Sequence, residues 1–158
     1  MLAALKQFLN DFADGSKPPA RFDDNDHRLA AAALLIHVAA IDGSMSQAER
    51  SRLRAVLMQR FRLDDSAADE LVHEAAEVER DAVDLYRFTS LINRSLDEDG
   101  RCRIVEMMWQ VVFADGKVSE FEDNLIWRAA DLLHVPREAR IGLRRKVAGE
   151  RAVADDTA

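Results

Sequence analysis

Two Asp-Gly-x-x-Ser-x-x-Glu strings carry the residues best placed to do chemistry. They are Asp42, Gly43, Ser46 and Glu49, and then Asp115, Gly116, Ser119 and Glu122, 73 positions later. The chemistry open to them is that of paired carboxylates. Hard divalent cations take several oxygen ligands, usually including carboxylates, at about 2.3–2.6 Å. Asp42, Glu49, Asp115 and Glu122 are therefore the candidate metal ligands if the fold brings the two strings together. The same residues also have a purely local use. Asp-Gly makes a tight turn, and a Ser followed three residues later by Glu is a capping box that satisfies free amides at a helix start. Either way, each string places one carboxylate at a helix exit and another in the first turn of the next helix.

Other constellations carry less. Asp-Gly followed by five residues and a Glu is also the tail of a calcium-binding helix-loop-helix. Counting back, however, its first ligand positions fall on Val38 and Ala40, and on Val111 and Phe113, none of which offers a side-chain oxygen. A third match, Ser95, Asp97, Asp99, Gly100 and Glu106, has more oxygens. It begins with Ser and carries Cys102 where an aliphatic residue normally packs, so residues 97–100 read mainly as an interhelical turn. His27, His37, His73 and His134 share no ligand spacing. His37 lies inside an apolar run and reads as a satisfied core histidine. Cys102 follows an acidic turn, which raises a thiol pKa, so no nucleophile is expected there. Arg137, Arg140, Arg144, Arg145 and Lys146 form a basic cluster that reads as a solvated face or a contact for an acidic partner. No Gly-rich phosphate loop and no catalytic constellation is found, so no enzymatic activity and no catalytic residue are expected.

The bulk composition narrows the class further. The 158 residues are 48% hydrophobic and 32% charged with only 3 Pro, as expected of one ordered helical domain. A net charge of −7 repels phosphate backbones, which disfavours nucleic acid and favours cations or basic partners. The longest apolar run is too short to span a bilayer, which needs about 20 residues. Association with a membrane would be peripheral, through partners. A single cysteine and no signal peptide point to the cytoplasm.

The elements that must position the acidic strings are helices. Residues 2–12 have the one-sided apolar spacing of a short amphipathic helix, and residues 16–26 are turn chemistry. Residues 27–41 and 103–114 are apolar on nearly every face, as in helices surrounded by others. Capped helices follow each string, to about Phe61 and His134. Residues 66–79 and 84–96 read as two further helices, and a last one starts at Pro136 and fades by Gly149. The expectation is an all-α bundle of seven or eight helices with a pseudo-twofold internal repeat. An N-terminal helix and loop (1–25) leads into the domain (26–149), with repeat halves about 27–64 and 100–137. A flexible tail (150–158) follows.

Ala-Ala-Ile-Asp-Gly-Ser-Met-Ser-Gln-Ala-Glu (39–49) and Val-Phe-Ala-Asp-Gly-Lys-Val-Ser-Glu-Phe-Glu (112–122), the second followed by Ile-Trp-Arg-Ala-Ala-Asp-Leu-Leu-His-Val, resemble the TerB-like family associated with tellurite resistance. The resemblance covers roughly residues 29–140. The same helical module occurs at the amino-terminal side of a membrane-anchored J-domain co-chaperone, whose J-domain signature and anchor this chain lacks. The resemblance implies an all-helical pseudo-symmetric fold and a non-enzymatic role in metal sensing or stress complexes with an unknown protein partner. It also implies a divalent metal ion held by Asp42, Glu49, Asp115 and Glu122. One departure is that Gln47-Ala48 stands in the first copy where Glu120-Phe121 stands in the second. The alternative expectation is an interaction scaffold whose acidic turns are only helix caps.

Overall fold

The computed structural model describes residues 22–82 and 84–157, and every regular element within them is helical. Seven helices follow one another: α1 His27–Ala39, α2 Gln47–Phe61, α3 Asp65–Asp81, α4 Tyr86–Ser95, α5 Glu98–Val112, α6 Glu120–Leu132 and α7 Arg137–Thr157. The helix expected over residues 2–12 lies outside the described residues.

Helix α1 forms the centre. All of residues 29–36, with Val38 and Ala39, are buried, and α1 packs against α2, α3, α4, α5 and α6. Four successive alanines, residues 30–33, explain how one helix can accept so many neighbours, because a methyl group lets adjacent backbones come close. Helix α5 is the second core element. It buries Ile104, Val105, Met107, Met108, Trp109, Val111 and Val112 and packs against α1, α2, α6 and α7. Polar residues are few on α1, which has almost no face left for water, while α5 keeps one with Arg103, Glu106 and Gln110 on it.

Short side chains set the helix starts. Asp26 accepts from the amide of Arg28 at 2.9 Å, Asp64 from Ala67 at 2.8 Å and Asp97 from Gly100 at 2.9 Å, each satisfying an amide that a first turn leaves free. The start of α5 departs from the sequence reading. Residues 98–100 belong to its first turn and Asp97 is its N-cap, so from Glu98 to Glu106 the candidate calcium loop is helix, and Ser95 ends α4. Its acidic residues stabilise the positive end of the α5 dipole. Helix α7 also runs past Gly149, where the sequence suggested fading. One glycine costs a helix only about 1 kcal/mol, and the residues around it are good helix formers.

The basic cluster of α7 is largely engaged. Arg140 pairs with Asp131 at 3.0 Å and donates to the Val135 carbonyl at 2.7 Å. Arg144 reaches Asp123 at 3.3 Å while its guanidinium lies 5.2 Å from the Trp109 ring centre and 5.5 Å from that of Phe113. Lys146 meets Glu106 at 3.4 Å. These contacts fasten α7 to α5 and α6. His37 is half-buried rather than a core residue, and its Nδ1 lies 2.9 Å from Glu79 Oε1 across the α1–α3 contact.

The runs α1-α2-α3 and α5-α6-α7 correspond in order, and shifting the first by 73 positions overlays it on the second to within three residues at each helix end. Helix α4 stands between the two runs.

Candidate functional site

Each acidic string is a turn out of a core helix, and the two turns are closed by the same hydrogen bonds. In the first, Ala40 N donates to Ile36 O at 2.9 Å, Ile41 N to Val38 O at 3.4 Å and Gly43 N to Ala40 O at 3.0 Å. In the second, Phe113 N donates to Trp109 O at 2.9 Å, Ala114 N to Val111 O at 3.1 Å and Gly116 N to Phe113 O at 2.9 Å. Gly43 has φ 122° and Gly116 φ 81°, a region where a side chain is strained. That requirement accounts for glycine at both positions.

Complete capping boxes follow. Ser46 Oγ accepts from Glu49 N at 3.1 Å and Glu49 Oε1 accepts from Ser46 N at 3.0 Å. Ser119 and Glu122 repeat this, with both distances 3.0 Å. The box holds each glutamate back against its helix start. The helical register does the rest. Glu49 shares a face with Leu53, Val56 and Leu57, and Glu122 with Ile126, Ala129 and Ala130, all of them buried. The two carboxylates are thus carried inward with their apolar neighbours, to 6% and 4% exposure.

There they meet. Glu122 is held protonated up to about pH 7, first by burial, against which the Ser119 amide pulls, and then by hydrogen bonding to Glu49 and by the charges of Glu49 and Asp42. Glu49 Oε2 is buried with no hydrogen-bond partner. A buried acceptor in that condition costs about 1–3 kcal/mol. A proton on Glu122 or a small cation between the carboxylates would supply what it lacks.

The turns also touch directly. Ser119 Oγ donates to Asp42 Oδ1 at 3.1 Å. Asp115 does not return the gesture, since its Oδ1 accepts from Lys117 N of its own turn at 3.0 Å. Of the four residues expected from the sequence, Asp42, Glu49 and Glu122 are brought together. Asp115 is exposed on the neighbouring turn, and no hydrogen bond among the described residues joins it to the other three. No group of three or more His, Cys, Asp or Glu among the described residues is arranged as a ready ligand set for a metal ion. Sequence reasoning named Glu49 and Glu122 as candidates but not their burial, for which a signal is present. A capping-box glutamate with apolar residues four, seven and eight positions on faces a core.

Away from this site, the Cys102 thiol is pushed up by burial and then by Glu98 and Asp99, against the pull of Arg101 and Arg103. No helix among the described residues is long and apolar enough to cross a membrane.

Fold and site define a small all-helical domain with a buried carboxylate pair beneath two acidic turns. The sequence model of one family, described as tellurite resistance protein TerB, matches residues 28–145, a span that takes in both turns and all seven helices in whole or part. The chain belongs to the TerB family. No curated protein and no solved structure matches it.

Proposed function

We infer that the chain is a non-enzymatic TerB module of the cytoplasm. In this reading it works in a stress or tellurite-resistance complex, and its carboxylate pair takes up a divalent cation in exchange for a proton. Glu49 and Glu122 would be the inner ligands, Asp42 the ligand at the rim, and Asp115 an outer carboxylate that raises the local cation concentration. The observation that carries this reading is the unpartnered, buried Oε2 of Glu49 beside a second carboxylate. Two carboxylates in contact away from water do not both ionise without a compensating positive charge. Oxygen donors of this kind suit calcium, magnesium or manganese better than softer metals.

Titration calorimetry with calcium, magnesium, manganese and zinc tests it at pH 8 and pH 5.5, on the native chain and on Glu49→Gln/Glu122→Gln. Glutamine keeps both capping boxes, so the variant retains the fold while losing the charge. Saturable heat is expected at pH 8, weaker at pH 5.5, and absent in the variant. Equal heats from the two proteins at pH 8 would remove the cation from the reading.

A second reading has its own support in the completeness of both capping boxes, which give the Ser and the Glu of each string a structural task. In it the chain is an interaction scaffold and the acidic turns are only caps. Calorimetry without heat for any of the four metals, together with partner capture unaffected by chelator, is its expected outcome.

A further inference from the structure

A groove runs between α2 and α5 on a face that the acidic turns do not use. Near the α2 start it is a hollow of about 380 Å³ lined by Ala48, Ser51, Arg52, Ala55 and Ala114, with Val147 of α7 at one side. Near the α2 end it continues as a hollow of about 350 Å³ lined by Gln59, Arg60, Arg62, Arg103 and Glu106. Gln110 lines both, so the two hollows adjoin along α2. Its length follows α2 from residue 48 to 62, about 20 Å at 1.5 Å per residue. That is long enough for about four turns of a helix.

Its charge runs against that of the molecule. The chain carries −7 overall, yet the groove is lined by Arg52, Arg60, Arg62 and Arg103 against only Glu106 and Glu150. Glu106 is already engaged by Arg103 at 3.0 Å and by Lys146 at 3.4 Å. Arg52, Arg60 and Arg62 are exposed, and among the described residues no hydrogen bond or ion pair occupies their guanidiniums. Arg62 also has φ 54° and ψ 51°, a left-handed conformation that costs a residue other than glycine about 1–2 kcal/mol. The apolar lining lies near the α2 start, where Ala48 and Ala55 are exposed and Phe113 and Ala114 half-buried.

We propose that this groove docks an acidic amphipathic helix of a partner protein, its apolar side over Ala48, Ala55 and Ala114 and its carboxylates against Arg52, Arg60, Arg62 and Arg103. The occupant is a helix because the described residues offer no strand edge to extend, and helical grooves take helices by burying one apolar face. It is acidic because three free guanidiniums line a channel that a basic segment would have to enter against like charge. Guanidinium pairs well with carboxylate, two bonds at a time.

The test uses a fluorescently labelled helical peptide of repeating Glu-Ala-Ala-Leu, about sixteen residues long, and its Lys-Ala-Ala-Leu counterpart. Anisotropy titrations are run on the native chain, on Arg52→Glu/Arg60→Glu, and on Arg80→Glu as a reversal on α3. Saturable binding of the Glu peptide is expected, weakened by added salt, at least tenfold weaker for Arg52→Glu/Arg60→Glu and unchanged for Arg80→Glu. Circular dichroism confirms that the variants fold. Ala55→Trp, which fills the groove without altering charge, is expected to weaken binding by a similar factor. Equal binding of the two peptides, no saturable binding, or insensitivity to both groove variants would overturn the proposal. A native chain that self-associates in sedimentation, and loses that association in Arg52→Glu/Arg60→Glu, would make a second copy the occupant. Inorganic polyphosphate bound with the same arginine dependence, and no peptide bound, would replace the helix with a non-protein polyanion. Either result also overturns it.

Discussion

Ser119 Oγ donates to Asp42 Oδ1 at 3.1 Å while accepting from Glu122 N at 3.0 Å. One hydroxyl thus caps α6 and ties its turn to the turn that leaves α1. Ser46, its counterpart, closes only its own capping box. The two acidic turns are closed by the same backbone hydrogen bonds and are unequal in how they meet.

That inequality predicts unequal costs. Ser46→Ala should lose one cap, about 1 kcal/mol. Ser119→Ala should lose a cap and the bond to Asp42, with about 0.5 kcal/mol added for an exposed contact. Urea unfolding of both variants, combined with Asp42→Ala in a double-mutant cycle, measures this. Coupling to Asp42 is expected for Ser119 and none for Ser46.

The carboxylate pair makes stability depend on pH in an unusual direction. Glu122 is raised from an ordinary value near 4.5 to about 7, so between those values the folded chain holds a proton that the unfolded chain has released. Its contribution is complete below pH 4.5 and is lost as pH rises through 7. Glu122→Gln keeps the cap and carries no charge. It should match the native chain near pH 4.5 and exceed it by on the order of 2–3 kcal/mol at pH 8. Denaturant melts of both proteins across this range are the check, and a difference that does not change with pH would refute it.

Gly43 and Gly116 should differ in their tolerance of alanine. At neither would an added Cβ meet an atom within 4 Å, so only backbone strain counts. The Gly116 φ of 81° is close to the left-handed basin, whereas the Gly43 φ of 122° lies well beyond it. Gly116→Ala should cost about 1 kcal/mol and Gly43→Ala about 2–3 kcal/mol, read from the shift in urea midpoint at constant slope.

Arg144 joins α7 to the core through a planar stack and an ion pair. Arg144→Ala should cost about 1–2 kcal/mol, from lost packing and lost cation–π attraction to Trp109 and Phe113. Arg144→Lys retains the charge opposite Asp123 but not the flat face, and should recover less than half of that in thermal melts.

Much of the fold was legible because it rests on periodicity and capping. The unbroken apolar runs at α1 and α5 and the Ser-x-x-Glu boxes at α2 and α6 announce both the helices and their order. The third helix of each run was harder to match. Helix α3 is rich in Asp and Glu where α7 is rich in Arg, and similar placement with opposite charge leaves no string to align. At the site, the sequence named all four carboxylates, Asp42, Glu49, Asp115 and Glu122. The structure brings Asp42, Glu49 and Glu122 together and leaves Asp115 apart, because which carboxylates meet depends on how two helix starts are packed, and spacing along one chain does not carry that information. The start of α5 was misplaced for a related reason. Asp97, Glu98, Asp99 and Gly100 have the composition of a turn, yet acids are also what the amino end of a helix attracts.

The thinness of α1 sets the girth of the whole domain. At Ala31, Ala32 and Ala33 nothing wider than a methyl separates the backbone from its neighbours, and all three are fully enclosed. A valine there would have to push surrounding helices apart, at about 1–3 kcal/mol for each site. Added bulk is therefore accommodated on the solvent sides of α2, α3 and α7 and not along this narrow axle.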